Sequence, residues 1–254
     1  MIIGCPKEIK PSESRVALTP AGVRELSKHG HTILVETAAG SASGFADADY
    51  ETAGATIIPT AAQVWADADL IVKVKEPQAS EWPHMRDGQV LFTYLHLAAD
   101  PDGAQALMDR GVTGIAYETV TSNNGLPLLA PMSEIAGRLA VQVGGILLGG
   151  VPGTPPANVA IIGAGIAGEN AARMALGMGA NVTIVDININ RLRQLDSQYG
   201  PHLKTLMSNE YNVADVIAAA DLVVGSVLIP AAATPKLVTR PMIAAMRYGS
   251  VLVD

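Results

Sequence analysis

The sequence predicts an α/β protein built from two parallel-sheet domains joined by a long helix, the second domain incomplete at its C-terminus. Three observations carry this reading. Short β-branched runs alternate with capped helical segments through the first half. The alternation stops at a turn-rich stretch and a long apolar helix, then restarts at residue 158. Apolar residues make up 49% and charged residues 16%, enough for a substantial core and too apolar for a disordered chain.

The elements follow in order. "MIIGCP" reads as a strand. "TPAGVRELSKHG" reads as a helix capped by Thr19, with Pro20 in its first turn and Gly30 as its stop. "HTILVE" is the next strand, "DADYETAG" a short helix ended by Gly54, and "TAAQVWAD" another helix. The strands "LIVKVK" and "QVLFTYLH" follow, then a helix from "DPDGAQALMDRG" with Asp100 as cap, then the strand "VTGIAYE". "TSNNGLPLLAP" breaks the pattern, and "MSEIAGRLAVQVGGILLGG" reads as a linker helix. These boundaries give domains at 1–127 and 128–254. In the second, the expected strands are "NVAIIG", "ANVTIVD", a weak "LKTLM", "DLVVGS" and "GSVLVD". The last is expected to be buried, after a helix that ends across Met246 to Gly249.

Several function classes are excluded at this level. A net charge of −7 argues against a general binder of nucleic acid or anionic membranes. The uncharged stretch from Leu139 to Gly168 is long enough to span a bilayer, but its prolines and glycines fit a helix end, a loop and a central strand. "MIIGCPKEIK" has no long apolar run, so no signal peptide is expected. The lone Cys5 precludes an internal disulfide and fits a cytoplasmic protein. No His, Cys or Asp cluster has metal-ligand spacing.

The segment "NVAIIGAGIAGENAARMALGMGANVTIVD" carries the clearest chemistry. Gly163, Gly165 and Gly168 form G-x-G-x-x-G between a strand and a helix. The first glycine permits the tight turn, the second a close approach of pyrophosphate, and the third helix-on-strand packing. The helix N-terminus adds N–H groups and a partial positive charge. The next strand ends in Asp186, an acid roughly 20 residues further on, as a Rossmann dinucleotide site requires. Its carboxylate can accept from ribose hydroxyls and repels a 2′-phosphate, so NAD is expected over NADP. Arg191, one helical turn on, softens that preference.

Three residues at strand ends of the first half are substrate-site candidates. Arg15 follows the first strand, Lys75 ends "IVKVK" and His96 ends "LFTYLH". In a parallel sheet these tips share one edge. Arg15 and Lys75 would hold an anionic substrate, and an imidazole exchanges protons near neutral pH. The plainer alternatives are a solvated arginine, a structural histidine, and one or both of Lys73 and Lys75 facing water, since they share one side of their strand. His29, His31, His84 and His202 read as surface or packing residues.

With these residues in view, the chain resembles the bacterial alanine dehydrogenase family along its whole length. The matching segments include "GCPKEIKPSESRVALTP", "KVKEP", "FTYLHLAAD", "LPLLAPMSEIAGRLAVQVG", "GGVPGTPPANVAIIGAGIAG", "VTIVDININRLRQLD" and "GSVLIPAAATPKLVTRPMI". The proton-translocating transhydrogenase α-subunit is a relative whose linker-helix segment differs from "APMSEIAGRL". The resemblance implies two Rossmann-like domains and the oxidative deamination of L-alanine to pyruvate and ammonium with NAD. It implies Arg15 and Lys75 as ligands of the substrate carboxylate and His96 as the catalytic acid/base. It implies NAD contacts from Ser133, Ile166, Ala167, Asp186, Arg191, Ser208, Val227 and Leu228. Ser133 reads equally as a helix N-cap and Ser208 as a turn residue. A homo-oligomer, a hexamer in the intact family, is also implied.

Two departures from the family pattern stand out. A glycine-containing loop expected between Val143 and Leu147 is absent. The chain also stops at Asp254, where the family continues into a second catalytic aspartate and further NAD contacts. The alternatives are therefore a truncated, non-catalytic NAD-binding or assembly protein, or a transhydrogenase-like NAD-binding subunit.

Overall fold

The computed structural model describes residues 1–122, 125–145, 152–228 and 236–254. They form two compact units, Met1–Leu126 and Pro127–Asp254. Each is a wholly parallel sheet with helices on both faces.

The first unit contains β1 (Ile2–Cys5), α1 (Pro20–Lys28), β2 (Thr32–Glu36), α2 (Asp47–Ala53), β3 (Thr56–Ile58), α3 (Ala61–Asp67), β4 (Leu70–Val72), β5 (Val90–Thr93), α4 (Pro101–Asp109) and β6 (Thr113–Ala116). Strand order is β3-β2-β1-β4-β5-β6. The chain winds outward from β1 in one direction, then returns to β4 and winds in the other. The reversal opens a crevice at the carboxyl ends of β1 and β4. Side-chain alternation fills both faces. Ile3, Cys5, Ile33 and Val35 pack with Val23 of α1 and Tyr50 of α2. Ile71 and Leu91 pack with Val64 and Trp65 of α3 and Leu107 of α4. Gly4 faces α3 so closely that a Cβ there would lie 2.7 Å from the Ala68 side chain.

The second unit contains α5 (Ala130–Gly144), β7 (Asn158–Ile162), α6 (Ile166–Gly177), β8 (Asn181–Asp186), α7 (Ile189–Tyr199), β9 (Leu203–Met207), α8 (Glu210–Ala219), β10 (Leu222–Gly225), α9 (Arg240–Ala244) and β11 (Val251–Val253). Strand order is β11-β10-β7-β8-β9, with the reversal between β7 and β10. Val159 and Ile161 pack one way against α6 and α7, while Ala160 and Ile162 pack the other way against α8 and Met242. Strands covered on both faces read as the continuous apolar runs seen in the sequence.

The helix caps follow the sequence. Thr19 Oγ1 accepts from the Gly22 N–H at 3.2 Å, and Asp100 Oδ1 accepts from the Gly103 N–H at 3.0 Å. Gly30 and Gly54 stop α1 and α2 with φ of +79° and +103°. Four expectations need correction. β3 is a strand beyond those expected, because "TII" is too short to show a period of two. β4 and β5 stop at Val72 and Thr93, so Lys75 and His96 lie beyond the strands. Lys73 does not face water but is buried. The long helix α5 lies in the second unit, where Val141 enters the core and Gly137 packs on the Ala167 backbone. Its expected extension through residues 146–150, and the short loop after Val143, fall largely outside the described residues. Finally, α9 ends at Ala244, and β11 is an edge strand whose Val251 and Leu252 are 39% and 38% exposed.

Candidate functional site

The first unit gathers its charged residues at the carboxyl ends of β1, β4, β5 and β6. Glu8, just past β1, accepts the Val74 N–H at 2.6 Å and the Lys75 N–H at 3.3 Å. Its other oxygen lies 3.3 Å from Lys73 Nζ, and Glu81 approaches the same ammonium at 2.9 Å. All three side chains are buried. These are close ion pairs without aligned hydrogen bonds between Lys73 and Glu81. The backbone that carries half-buried Lys75 is thus held from beneath by a buried carboxylate.

Arg15 is exposed and gripped by Glu13. Nε donates to Glu13 Oε1 at 2.8 Å, and Nη2 to Oε2 at 2.6 Å. These bonds hold the Glu13 carboxyl below its ordinary range, against burial, and Lys75 adds a smaller pull. Arg15 and Lys75 therefore act on one carboxylate. Burial pushes the Tyr94 hydroxyl up, Arg15 pulls it down and Glu118 pushes it up. The Tyr94 ring stacks on His96 with centroids 6.1 Å apart. His96 is exposed and adopts φ of +52°, a left-handed conformation uncommon outside glycine. Arg15, Lys75 and His96 thus share one sheet edge, linked through Glu13 and Tyr94. The rule that selected His96, a residue at a strand's carboxyl tip, also selects Glu118 after β6. Nothing in the sequence signals Glu81.

In the second unit the glycine-rich turn joins β7 to α6. Gly163 has φ of +107°, and a Cβ there would press on the Ser226–Val227 backbone at 3.0 Å. A Cβ at Gly168 would collide with the Gly163 carbonyl. Gly165 differs: a Cβ there meets nothing within 4 Å. Internal packing explains the first and third glycines, whereas the second borders open space at the N-terminus of α6. That is the cradle a phosphate needs. Ile166 and Ala167 form the first helical positions, the former exposed.

Asp186, at the tip of β8, accepts the Ala164 N–H at 2.6 Å and the Asn188 N–H at 2.7 Å. Arg191 Nε donates to the Ala164 carbonyl at 2.8 Å, and its Nη2 pairs with Glu169. Ser208 follows β9 and donates its N–H to the Asp186 carbonyl, so it sits beside that strand tip. It does not cap α8, whose cap is Asn209. Val227 and Leu228 follow β10, with Leu228 59% exposed. Ser133 lies inside the first turn of α5 and is not its N-cap, which is Leu129. Among the described residues no group of three or more His, Cys, Asp or Glu is placed to hold a metal ion. Among them no helix is long and apolar enough to cross a membrane.

Comparison with known proteins decides the ancestry. The description "Alanine dehydrogenase/PNT, N-terminal domain" matches residues 4–136, and "Alanine dehydrogenase/PNT, C-terminal domain" matches residues 137–254. The chain belongs to the alanine dehydrogenase/PNT family. It is 57% identical to alanine dehydrogenase from Bacillus subtilis (strain 168), covering 100% of this chain and 70% of that protein. It is 54% identical to alanine dehydrogenase from Mycobacterium tuberculosis (strain ATCC 25618 / H37Rv), covering 72% of it. A solved L-alanine dehydrogenase superposes with a TM-score of 0.89 at 49% identity, over 100% of this chain and 73% of that one. A transhydrogenase from Sinorhizobium meliloti superposes with a TM-score of 0.85 at 33% identity, over 100% and 78%. The doubly wound units described above are the fold of this family.

Proposed function

We propose that this member of the family is an alanine dehydrogenase that oxidatively deaminates L-alanine to pyruvate and ammonium, reversibly and with NAD. The observation that carries this is 57% identity to the Bacillus subtilis enzyme across the whole chain. The transhydrogenase relationship is weaker, at 33%. The cofactor is a nicotinamide dinucleotide, and Asp186 favours the form with a free 2′-hydroxyl, NAD.

The second unit supplies the cofactor groups. Gly163, Gly165 and Gly168 shape the phosphate cradle, and the N–H groups of Ile166 and Ala167 face it. Asp186 receives the ribose hydroxyls, with Arg191, Ser208, Ser133, Val227 and Leu228 as further contacts. The bound nicotinamide ring supplies the hydride acceptor.

The first unit supplies the substrate groups. Arg15 and Lys75 hold the alanine carboxylate by charge-assisted hydrogen bonds, each contributing about 1.5–3 kcal/mol. Once hydride has left the alanine Cα, the resulting iminium is attacked by water. His96 takes the proton of that water and returns one as the carbinolamine releases its nitrogen. The balance is alanine, NAD and water to pyruvate, ammonium, NADH and a proton. A homo-oligomer and a cytoplasmic location belong to the same reading, carried by the resemblance.

The test is alanine-dependent NADH formation by the purified chain at mildly alkaline pH. Turnover that His96→Ala lowers about 10²–10⁴-fold supports the reading. A folded protein without turnover, or turnover indifferent to His96, overturns it.

A further inference from the structure

Arg191 and Asp186 grip opposite ends of one residue. Asp186 takes the Ala164 N–H at 2.6 Å, and Arg191 Nε gives to the Ala164 carbonyl at 2.8 Å. Whatever binds the Asp186 carboxylate therefore lies about one residue's length from a guanidinium. An arginine so placed is the usual partner of a 2′-phosphate in dinucleotide sites. Here the guanidinium is already engaged. Nη1 donates to Gln194 Oε1 at 2.6 Å, and Nη2 pairs with Glu169 on the first turn of α6. Glu169 is itself fixed, accepting from Gln198 Nε2 at 3.2 Å and from the Tyr199 hydroxyl at 3.1 Å. Both partners are about one-fifth exposed, so solvent screens the pair only in part.

We infer that Glu169 is a specificity-determining residue, which neutralises Arg191 and so denies a 2′-phosphorylated cofactor its cation. This rests on the cofactor reading above, in which the adenosine ribose meets Asp186. Discrimination against NADP then has two parts. Asp186 repels the phosphate, and Glu169 removes the attraction that Arg191 would otherwise exert. Both acids act on the difference between the two cofactors, because the phosphate is their only difference.

The test is titration of the full chain with NADH and with NADPH, followed by nucleotide fluorescence, which needs no turnover. Glu169→Gln keeps the side chain's size and loses its charge. It is expected to tighten NADPH relative to NADH about tenfold, as removal of one nearby charge would. The gain should vanish in Glu169→Gln/Arg191→Ala. An unchanged ratio, or a gain that survives loss of Arg191, overturns the inference. Arg191→Ala alone gives an independent check if Glu169→Gln does not fold. A neutralised arginine contributes little to phosphate binding, so the NADPH to NADH ratio should move less than about twofold, and a tenfold loss of NADPH binding would sink the proposal. Wild-type chain that binds neither nucleotide refutes the cofactor reading itself, whereas wild-type that binds NADH with an unmoved ratio in Glu169→Gln refutes only the role of Glu169.

Discussion

The Glu118 carboxylate accepts the backbone N–H of His96 at 2.7 Å and that of Leu95 at 3.2 Å. Two bonds to one charged acceptor hold the His96 peptide where the chain would not otherwise rest. A left-handed non-glycine residue costs about 1–3 kcal/mol, and hydrogen bonds to a charged group return about that much. Glu118 is thus a positioning residue for the imidazole. Glu118→Ala is expected to lower kcat for alanine oxidation about 10²-fold, the order of loss for a 1 Å misplacement. The KM for alanine should change far less, because the proposed carboxylate ligands, Arg15 and Lys75, are left in place. Glu118→Gln retains an acceptor oxygen and should restore much of kcat. Equal losses in kcat and KM, without rescue by glutamine, would mean a merely structural role.

Beneath Lys75 lies a more demanding arrangement. Lys73 is buried between Glu8 and Glu81, 3.3 Å and 2.9 Å away. Removing the ammonium leaves two buried carboxylates facing each other without a cation. Lys73→Met is expected to destabilise the first unit by about 3–5 kcal/mol, read from urea unfolding. The triple variant Lys73→Met/Glu8→Gln/Glu81→Gln should recover a large part of that loss. A Lys73→Met protein as stable as wild type would show that the charges are relieved in another way.

This cluster is also the part of the first unit that the sequence does not reveal. The doubly wound sheets were legible because strands buried on both faces are continuous apolar runs, and because Thr19 and Asp100 announce their helices. The glycine-rich turn was legible because three glycines, a preceding strand and Asp186 constrain one another. Lys73 was not. Its strand alternation placed it with Lys75, but the chain leaves the strand at Val72, and Glu8 and Glu81 converge from distant segments. Strand β3 was hidden by its three-residue length. The Glu169–Arg191 pair links α6 to α7, and no local period reveals a partner 22 residues away.

Cys5 provides a pH test of the first core. Burial pushes its thiol up from an ordinary 9.0 to about 11, opposed by backbone hydrogen bonds from Leu18 and Ala17. A pKa raised by folding means the folded chain holds the proton more tightly. Below pH 9 both states carry the neutral thiol, and the full contribution is present. As pH rises from 9 toward 11 the unfolded thiol ionises first, and stability falls. Burial raises Tyr50 as well, to about 12, and its effect begins above pH 10. Unfolding free energies measured between pH 8 and 10 should therefore decline more steeply for wild type than for Cys5→Ala. Parallel slopes would show that Cys5 is not the titrating group.

The three glycines of the turn are expected to fail in different ways, and the difference separates fold from function. At Gly168 a Cβ strikes the Gly163 carbonyl, which is backbone and cannot move without shifting β7 against α6. Gly168→Ala should therefore lower the melting temperature of the nucleotide-free chain and weaken NADH binding together. At Gly165 the backbone has φ of −69°, open to any residue, and a Cβ meets nothing within 4 Å. Gly165→Ala should cost about 1 kcal/mol or less of stability, the scale of a changed N-cap. Its methyl group instead projects into the open space proposed for the pyrophosphate, so NADH affinity should fall at least about tenfold. Differential scanning fluorimetry without nucleotide, paired with NADH titration, reads both quantities on the same samples. Undiminished NADH binding by a folded Gly165→Ala chain would place the phosphates elsewhere and remove the turn from the cofactor site.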